Sequence, residues 1–341
     1  MLSRVAENIL WMSRYVERAE NTARIIDVNF RLLLDSGAIV DHAAAWEPLV
    51  SLVPQTRVLF DTLYPAVTAS NVCRFMTFDN KNPNSIVSTV AYARECARGI
   101  RESLSSEMWE QLNTLYLRVT GPEAATAWAA SPHAFYRQVQ YGSQHFQGTT
   151  DATMPHDEGW HFMQVGKYLE RADNATRILD SKHQLLGTGA GTVEAVQLFA
   201  VLKSCSAYEA FRRHQVGALV TPREVVQFLL LDPYFPRSVL FCIHAAWSAL
   251  RAIGGAHTRA VSNAVERALG LLQAQLEYAE LEEVLADLQG YVDALQRHIN
   301  RVGEHLQRVY LYSLVHPVVT TAEGRVAQVM AEQQQQARRA C

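Results

Sequence analysis

Apolar residues recur at steps of three and four along nearly the whole chain, the period of a helix that buries one face. Met12, Val16, Ala19, Ala23, Ile26 and Phe30 follow this rhythm near the start. Leu288, Val292, Leu295, Ile299, Val302, Leu306 and Val309 follow it near the end, in a pattern that suits either a bundle or a coiled-coil pair. No segment shows convincingly the two-residue alternation of a half-buried strand. The pattern predicts an all-α protein.

Local punctuation agrees. Thr221-Pro222-Arg223-Glu224 reads as a capping box with proline at the first helical position. Asp232–Ser238 then breaks that helix, and Ser238 is placed to cap the next. Gly187–Gly191 and Gly254-Gly255 predict flexible connections, and the polar run from Ala322, ending EQQQQARRAC, predicts a disordered tail.

The helical pattern also repeats. Displaced by 153 residues, RYVERAENTARIID (Arg14–Asp27) falls on KYLERADNATRILD (Lys167–Asp180), with eight of fourteen positions identical where chance gives about one. Without a gap, the same displacement lays Ser51 on Ser204, Val67-Thr68 on Val220-Thr221 and Phe75 on Phe228. It also lays Asp79 on Asp232, Pro83 on Pro236, Ser85 on Ser238 and Arg98 on Arg251, and fades beyond about residue 100. One register held this far implies duplication of a whole helical unit. The expected organisation is a bundle of two tandem, pseudo-two-fold-related repeats, 1–150 and 151–321, followed by the tail 322–341.

Composition narrows the partners. With 31 basic and 34 acidic residues the net charge is −3, too balanced to predict a nucleic-acid or membrane-binding field. The five cysteines, Cys73, Cys96, Cys205, Cys242 and Cys341, form neither a CxxC pair nor a disulfide framework. Glu7 interrupts what a signal peptide would need as its apolar core, and no stretch approaches the roughly 18 apolar residues of a membrane span. A cytoplasmic location is expected.

The repeated helix carries the candidate chemistry. Arg14, Glu17, Asn21 and Arg24 share one stripe, and Lys167, Glu170, Asn174 and Arg177 share its counterpart. The bland alternative is a solvated face with local Glu20–Arg24 and Asp173–Arg177 pairs, each contributing about 0.2–0.5 kcal/mol. Arg18 and Arg171 argue for more. Arg18 lies in line with Trp11, Tyr15, Thr22 and Ile25, and Arg171 with Tyr168, Ala175 and Ile178; neither has a carboxylate three or four residues away. A guanidinium on such a face is partly buried and needs an anion from another helix or from a ligand. Asp79 and Asp232, present in both halves, are the expected partners of a structural clamp. His156 and His161, five residues apart beside Asp157 and Glu158, read as a helix N-terminus rather than a metal site. His298 and His305 are expected at a helix surface.

The opening MLSRVAENILWMSRYVERAENTARIIDVN resembles the bacterial Alpha-E family, as do NPNSIV…SSEMWEQLN, DEGWHF…GKYLERAD, LKSCSAYEAFRR and FPRSVLFC. The resemblance covers about residues 1–250 and implies an all-helical fold whose Glu-Arg motif is Glu17-Arg18 and, in the second copy, Glu170-Arg171. It further implies association with a circularly permuted ATP-grasp protein, an enzyme class that forms amide bonds through acyl phosphates, and with transglutaminase-like proteins. The expected role is that of an accessory partner in peptide synthesis or modification, binding its partner, a peptide or a small anionic ligand at the two Glu-Arg stripes, with no cofactor. One alternative is an enzyme using Glu17 and Glu170 as general bases and Arg18 and Arg171 to hold an anionic substrate. Another is a scaffold in which every Glu-Arg contact is structural.

Overall fold

The computed structural model describes residues 1–36, 42–52, 54–182, 192–214, 220–253 and 263–311. These form sixteen α-helices and no strand. The first eight are α1 (Ser3–Ser36), α2 (His42–Ser51), α3 (Pro54–Leu63), α4 (Ala69–Thr77), α5 (Ile86–Gly99), α6 (Ser106–Thr120), α7 (Ala124–Ala130) and α8 (Pro132–Thr153). The next eight are α9 (Glu158–Asp180), α10 (Thr192–Ser204), α11 (Tyr208–His214), α12 (Pro222–Leu231), α13 (Val239–Ile253), α14 (Ala264–Glu277), α15 (Leu281–Ala286) and α16 (Leu288–Tyr310). The tail, Gly187–Gly191, Gly254-Gly255 and Cys341 lie outside the described residues.

Two pairs of helix starts keep the displacement read from the sequence. Helix α4 begins at Ala69 and α12 at Pro222; α5 begins at Ile86 and α13 at Val239, 153 residues on in each case. Their caps correspond too. Thr68 Oγ1 accepts from Asn71 N at 3.2 Å and Ser85 Oγ from Ser88 N at 3.1 Å; Thr221 and Ser238 accept from Glu224 N at 3.3 Å and Phe241 N at 3.1 Å. At Thr221 the Glu224 carboxylate returns a bond to the cap N–H, completing the capping box.

Helix α1, 34 residues and so about 50 Å long, is the beam of the molecule. Its first half, with Trp11, Met12 and Val16, enters a core shared with Phe162 and Leu169 of α9, Ile243 of α13 and Val292 of α16. Its second half, with Ala19, Ala23 and Ile26, enters another core with Trp46, Phe60, Phe75 and Tyr136. Helix α16 packs on α9 and α14 as part of the bundle, its heptad residues Leu288 to Leu306 buried and Val309 43% exposed.

Helices α1 and α9 run side by side in the same direction, since their neighbours advance together from Leu10 beside Gly166 to Glu17 beside Arg171. Their approach is unusually close at two points. The Ser13 hydroxyl donates to Met163 O at 2.7 Å, and a Cβ at Gly166 would lie 2.5 Å from Leu10 O. Ser13 and Gly166 are 153 residues apart, as are Leu10 and Met163, so each helix brings a small residue to a carbonyl of the other.

Other expectations change here. His298 and His305 are half-buried rather than superficial, with His298 Nδ1 3.1 Å from Gln275 Oε1, because α16 is flanked on both sides. Cys73, Cys205 and Cys242 are buried free thiols and Cys96 is half-buried. No described helix is long and apolar enough to cross a membrane.

Candidate functional site

The two Glu-Arg motifs meet on the facing sides of α1 and α9, and they pair crosswise. Arg18 grips Glu170 as a fork, Nε to Oε1 at 2.5 Å and Nη2 to Oε2 at 3.0 Å. Arg171 Nε lies 2.9 Å from Glu17 Oε1. Each motif arginine therefore takes the glutamate of the other motif. The expected clamps do not form: Asp79 accepts from the Tyr64 hydroxyl and Lys81 N, and Asp232 from Tyr234 N and Phe235 N, so both serve local turns. The aromatic neighbours also correspond, Arg18 standing over Tyr15 and Arg171 over Tyr168 at 5.8 and 5.6 Å.

The solvated-face alternative fails on burial. Glu17 and Glu20 are fully buried, and Asn21, Lys167, Glu170 and Arg171 are all under 10% exposed. The stripes lie between helices, where the step of three and four brings polar residues as readily as apolar ones to a shared interface. The local pairs do form within it, Glu20 with Arg24 and Asp173 Oδ2 with Arg177 Nε at 2.8 Å. Arg14 Nε adds a second cation to Glu170 Oε2 at 2.8 Å. Arg177 Nη1 reaches Leu52 O at 3.1 Å, while the half-buried Asn174 takes no part in the network.

One participant escaped sequence reasoning. Arg237, in the turn before α13, donates through Nη1 to Glu17 Oε1 at 2.8 Å and Asn21 Oδ1 at 2.9 Å, and through Nη2 to Glu20 Oε1 at 2.7 Å. The counterpart position holds Asn84, whose Oδ1 accepts from Arg18 Nη1 at 3.1 Å. The matched prolines Pro83 and Pro236 mark corresponding turns, so an arginine in one and an amide in the other was the available signal. Helix α8 closes the site: Gln147 accepts from Arg171 Nη2 at 2.7 Å and donates to Glu17 Oε2 at 2.9 Å, and Ser143 donates to Glu20 Oε2 at 2.9 Å.

The electrostatics follow from this crowding. Burial would raise the Glu170 carboxyl, but Arg18 and Arg14 hold it down at about 2. Burial acts likewise on Glu20, and Arg237, Arg24 and Arg171 hold it at about 2. Lys167 differs. Burial and the Arg171 charge bring its amine down to about 8 against the weaker pull of Asp151 and Glu17, and no described carboxylate lies within ion-pair distance of it. Around the cluster, seven cations (Arg14, Arg18, Arg24, Lys167, Arg171, Arg177 and Arg237) stand against five acids (Glu17, Glu20, Glu170, Asp173 and, at the exposed edge, Asp151).

A small cleft of about 10 Å³ lies beside Lys167, bounded by α1, α8 and α9. Among the described residues no three His, Cys, Asp or Glu side chains are grouped to hold a metal. His156 stacks on Trp160 at 4.1 Å, and Asp157 caps α9, as expected of a helix start.

A family model for a predicted alpha-helical domain with a conserved ER motif matches residues 1–311. The chain belongs to the Alpha-E family. Uncharacterized proteins from Mycobacterium bovis and from one strain of Mycobacterium tuberculosis are 27% identical to it over 302 residues, and one from a second M. tuberculosis strain is 26% identical. The match covers 83% of this Alpha-E chain and 34% of each relative, so the chain spans about a third of the length of the curated relatives it matches. No solved structure matches it.

Proposed function

We propose that this Alpha-E chain is a non-catalytic helical module, made by tandem duplication, that works beside a circularly permuted ATP-grasp amide ligase in peptide synthesis or modification. The observation that carries the reading is the crosswise pairing of Glu17 with Arg171 and Glu170 with Arg18. It spans the two corresponding helices and leaves neither glutamate free. A carboxylate held near 2 among arginines has little proton affinity at neutral pH, which disfavours Glu170 as a general base. Duplication is supported by helix starts 153 residues apart and by the matched approaches of Ser13 and Gly166.

The accessory role is supported by the relatives, in which a comparable stretch makes up only about a third of a longer chain. In this role the cross-braced helices give rigidity, and the surplus positive charge receives an anionic group of the ligase or of its peptide substrate. Co-expression with a circularly permuted ATP-grasp protein tests it. The two should co-purify, and ligase turnover with peptide substrates should fall when the Alpha-E chain is omitted. Independent elution with unchanged turnover would refute the partnership, and modification of a peptide by the Alpha-E chain alone would favour the enzyme alternative.

A further inference from the structure

The two halves of the charge cluster are not equivalent, and the difference isolates one amine. Glu170 takes both cations that precede and form the first motif, Arg14 and Arg18. By correspondence Glu17 would take Lys167 and Arg171. It takes Arg171 and Arg237 instead, because Arg237 stands where the first half has an uncharged asparagine. Lys167 is displaced from the network. Lys167 is 8% exposed, its amine lies 4.7 Å from the centre of the Tyr168 ring, it makes no hydrogen bond or ion pair with a described residue, and it lines the cleft between α1, α8 and α9. A buried ammonium without a counter-charge is costly, and an anion entering the cleft would relieve that cost.

The walls define the anion. Val16, Phe146 and Met163 give the cleft apolar walls. The hydroxyls of Ser13 and Thr150 are already committed to Met163 O and Phe146 O, at 2.7 and 2.8 Å. The amides of Gln147 and Gln164 also line the cleft, Gln147 donating to Glu17 Oε2 at 2.9 Å and Gln164 to Asp151 Oδ1 at 3.5 Å, so Lys167 is the charged donor on offer. The cleft has room for about one water, so one anionic oxygen can reach the amine while the rest of its group stays at the open mouth, where a flat two-oxygen head crowds the walls less than a tetrahedral one. Asp151 lies at the rim, its Oδ1 accepting from Trp160 Nε1 at 3.3 Å, and its charge opposes a dianion more than a monoanion. We propose that the Lys167 cleft is a binding site for a carboxylate at the end of a small acid or a peptide, with one of its oxygens in the water-sized space beside the amine. The site rests on the anion-receiving part of the function proposed above and does not require the ligase to be the partner.

The groups facing the amine also set a pH window. Arg171 and Lys167 repel each other, Glu17, Asp151 and the buried Cys242 thiol lie around them, and the free amine titrates at about 8. Carboxylate binding needs the protonated amine, so affinity holds below this value and weakens about tenfold per pH unit above it.

The test uses the full chain. Calorimetric titration with sodium acetate, against sodium chloride at matched ionic strength, should show saturable binding at pH 7. Lys167→Met should weaken it about 10- to 100-fold, the loss expected for one charge-assisted hydrogen bond. The chain has only four lysines, Lys81, Lys167, Lys182 and Lys203, so lysine-selective ¹³C NMR can follow Lys167 directly. Its midpoint should rise from about 8 when acetate is saturating, a readout that stands even if Lys167→Met fails to fold. Absence of saturable binding, an unmoved midpoint, or unchanged binding by a folded Lys167→Met overturns the site. Tighter binding of inorganic phosphate than of acetate overturns the ligand class. Acetate binding without ligase co-purification would refute the partnership alone, and the converse would refute this site alone.

Discussion

Replacing Glu170 with glutamine keeps its shape and removes its charge, so Glu170→Gln leaves Arg14 and Arg18 facing a neutral amide between two helices. Breaking a buried pair from one side costs on the order of 3–5 kcal/mol. Proton linkage gives a second value. A carboxyl at about 2 in the folded protein, against 4.5 as its ordinary value, corresponds to about 3 kcal/mol at neutral pH. The two routes agree. The folded value is depressed, so this stability is present above pH 4.5 and is lost as pH falls toward 2. At pH 3.5 about 2 kcal/mol of it should remain. Urea melts of the wild type and Glu170→Gln at pH 7 and pH 3.5 measure the gap, which should narrow from about 3 to about 2 kcal/mol. Glu20 titrates in the same range but is present in both proteins and cancels to first order. A variant as stable as wild type at pH 7, or a gap that ignores pH, would refute the reasoning.

Three further changes test neighbouring parts of the argument. Arg18→Ala and Arg171→Ala should each cost less than Glu170→Gln, about 1–2 kcal/mol, because Arg14 still faces Glu170 and Arg237 still faces Glu17; equal or larger losses in denaturant melts would contradict this. Lys167→Met should gain up to about 3 kcal/mol at pH 7 without ligand, since the folded amine is depressed from 10.5 to about 8. The wild-type penalty is complete below 8 and relieved as pH rises toward 10.5, so the gain should fade across that interval; a constant gain would point to packing instead. Gly166→Ala should lower stability by about 2 kcal/mol or more, because the new methyl meets the Leu10 backbone carbonyl, and a neutral thermal melt would show that α1 can move away.

The helices were legible because their signals are local. Apolar steps of three and four, the Thr221 box and the Ser238 cap each act within one turn, and the structure keeps them. That Arg18 and Arg171 need counter-charges from outside their own helices was also legible, from the apolar company on their stripes. Which carboxylates answer was not. Asp79 and Asp232 recur in both halves, but their recurrence reflects turns that the chain makes twice. The true partners are the motif glutamates themselves, and only the side-by-side placement of α1 and α9 reveals it. Arg237 was hidden for the same reason, being 220 residues from Glu17 in the chain and one hydrogen bond away in space.

Crosswise pairing also changes what counts as a mutable unit. Had each arginine paired with the glutamate of its own half, either half could lose its pair and leave the other intact. Here Glu17 answers to Arg171 and Glu170 to Arg18, so losing either glutamate leaves an arginine of the other half without its carboxylate. The two halves are thus bound in epistasis through four side chains. Variation that is harmless must come in matched steps on both sides of α9, and libraries that randomise one half alone will score these positions as intolerant for a reason that lies in the other.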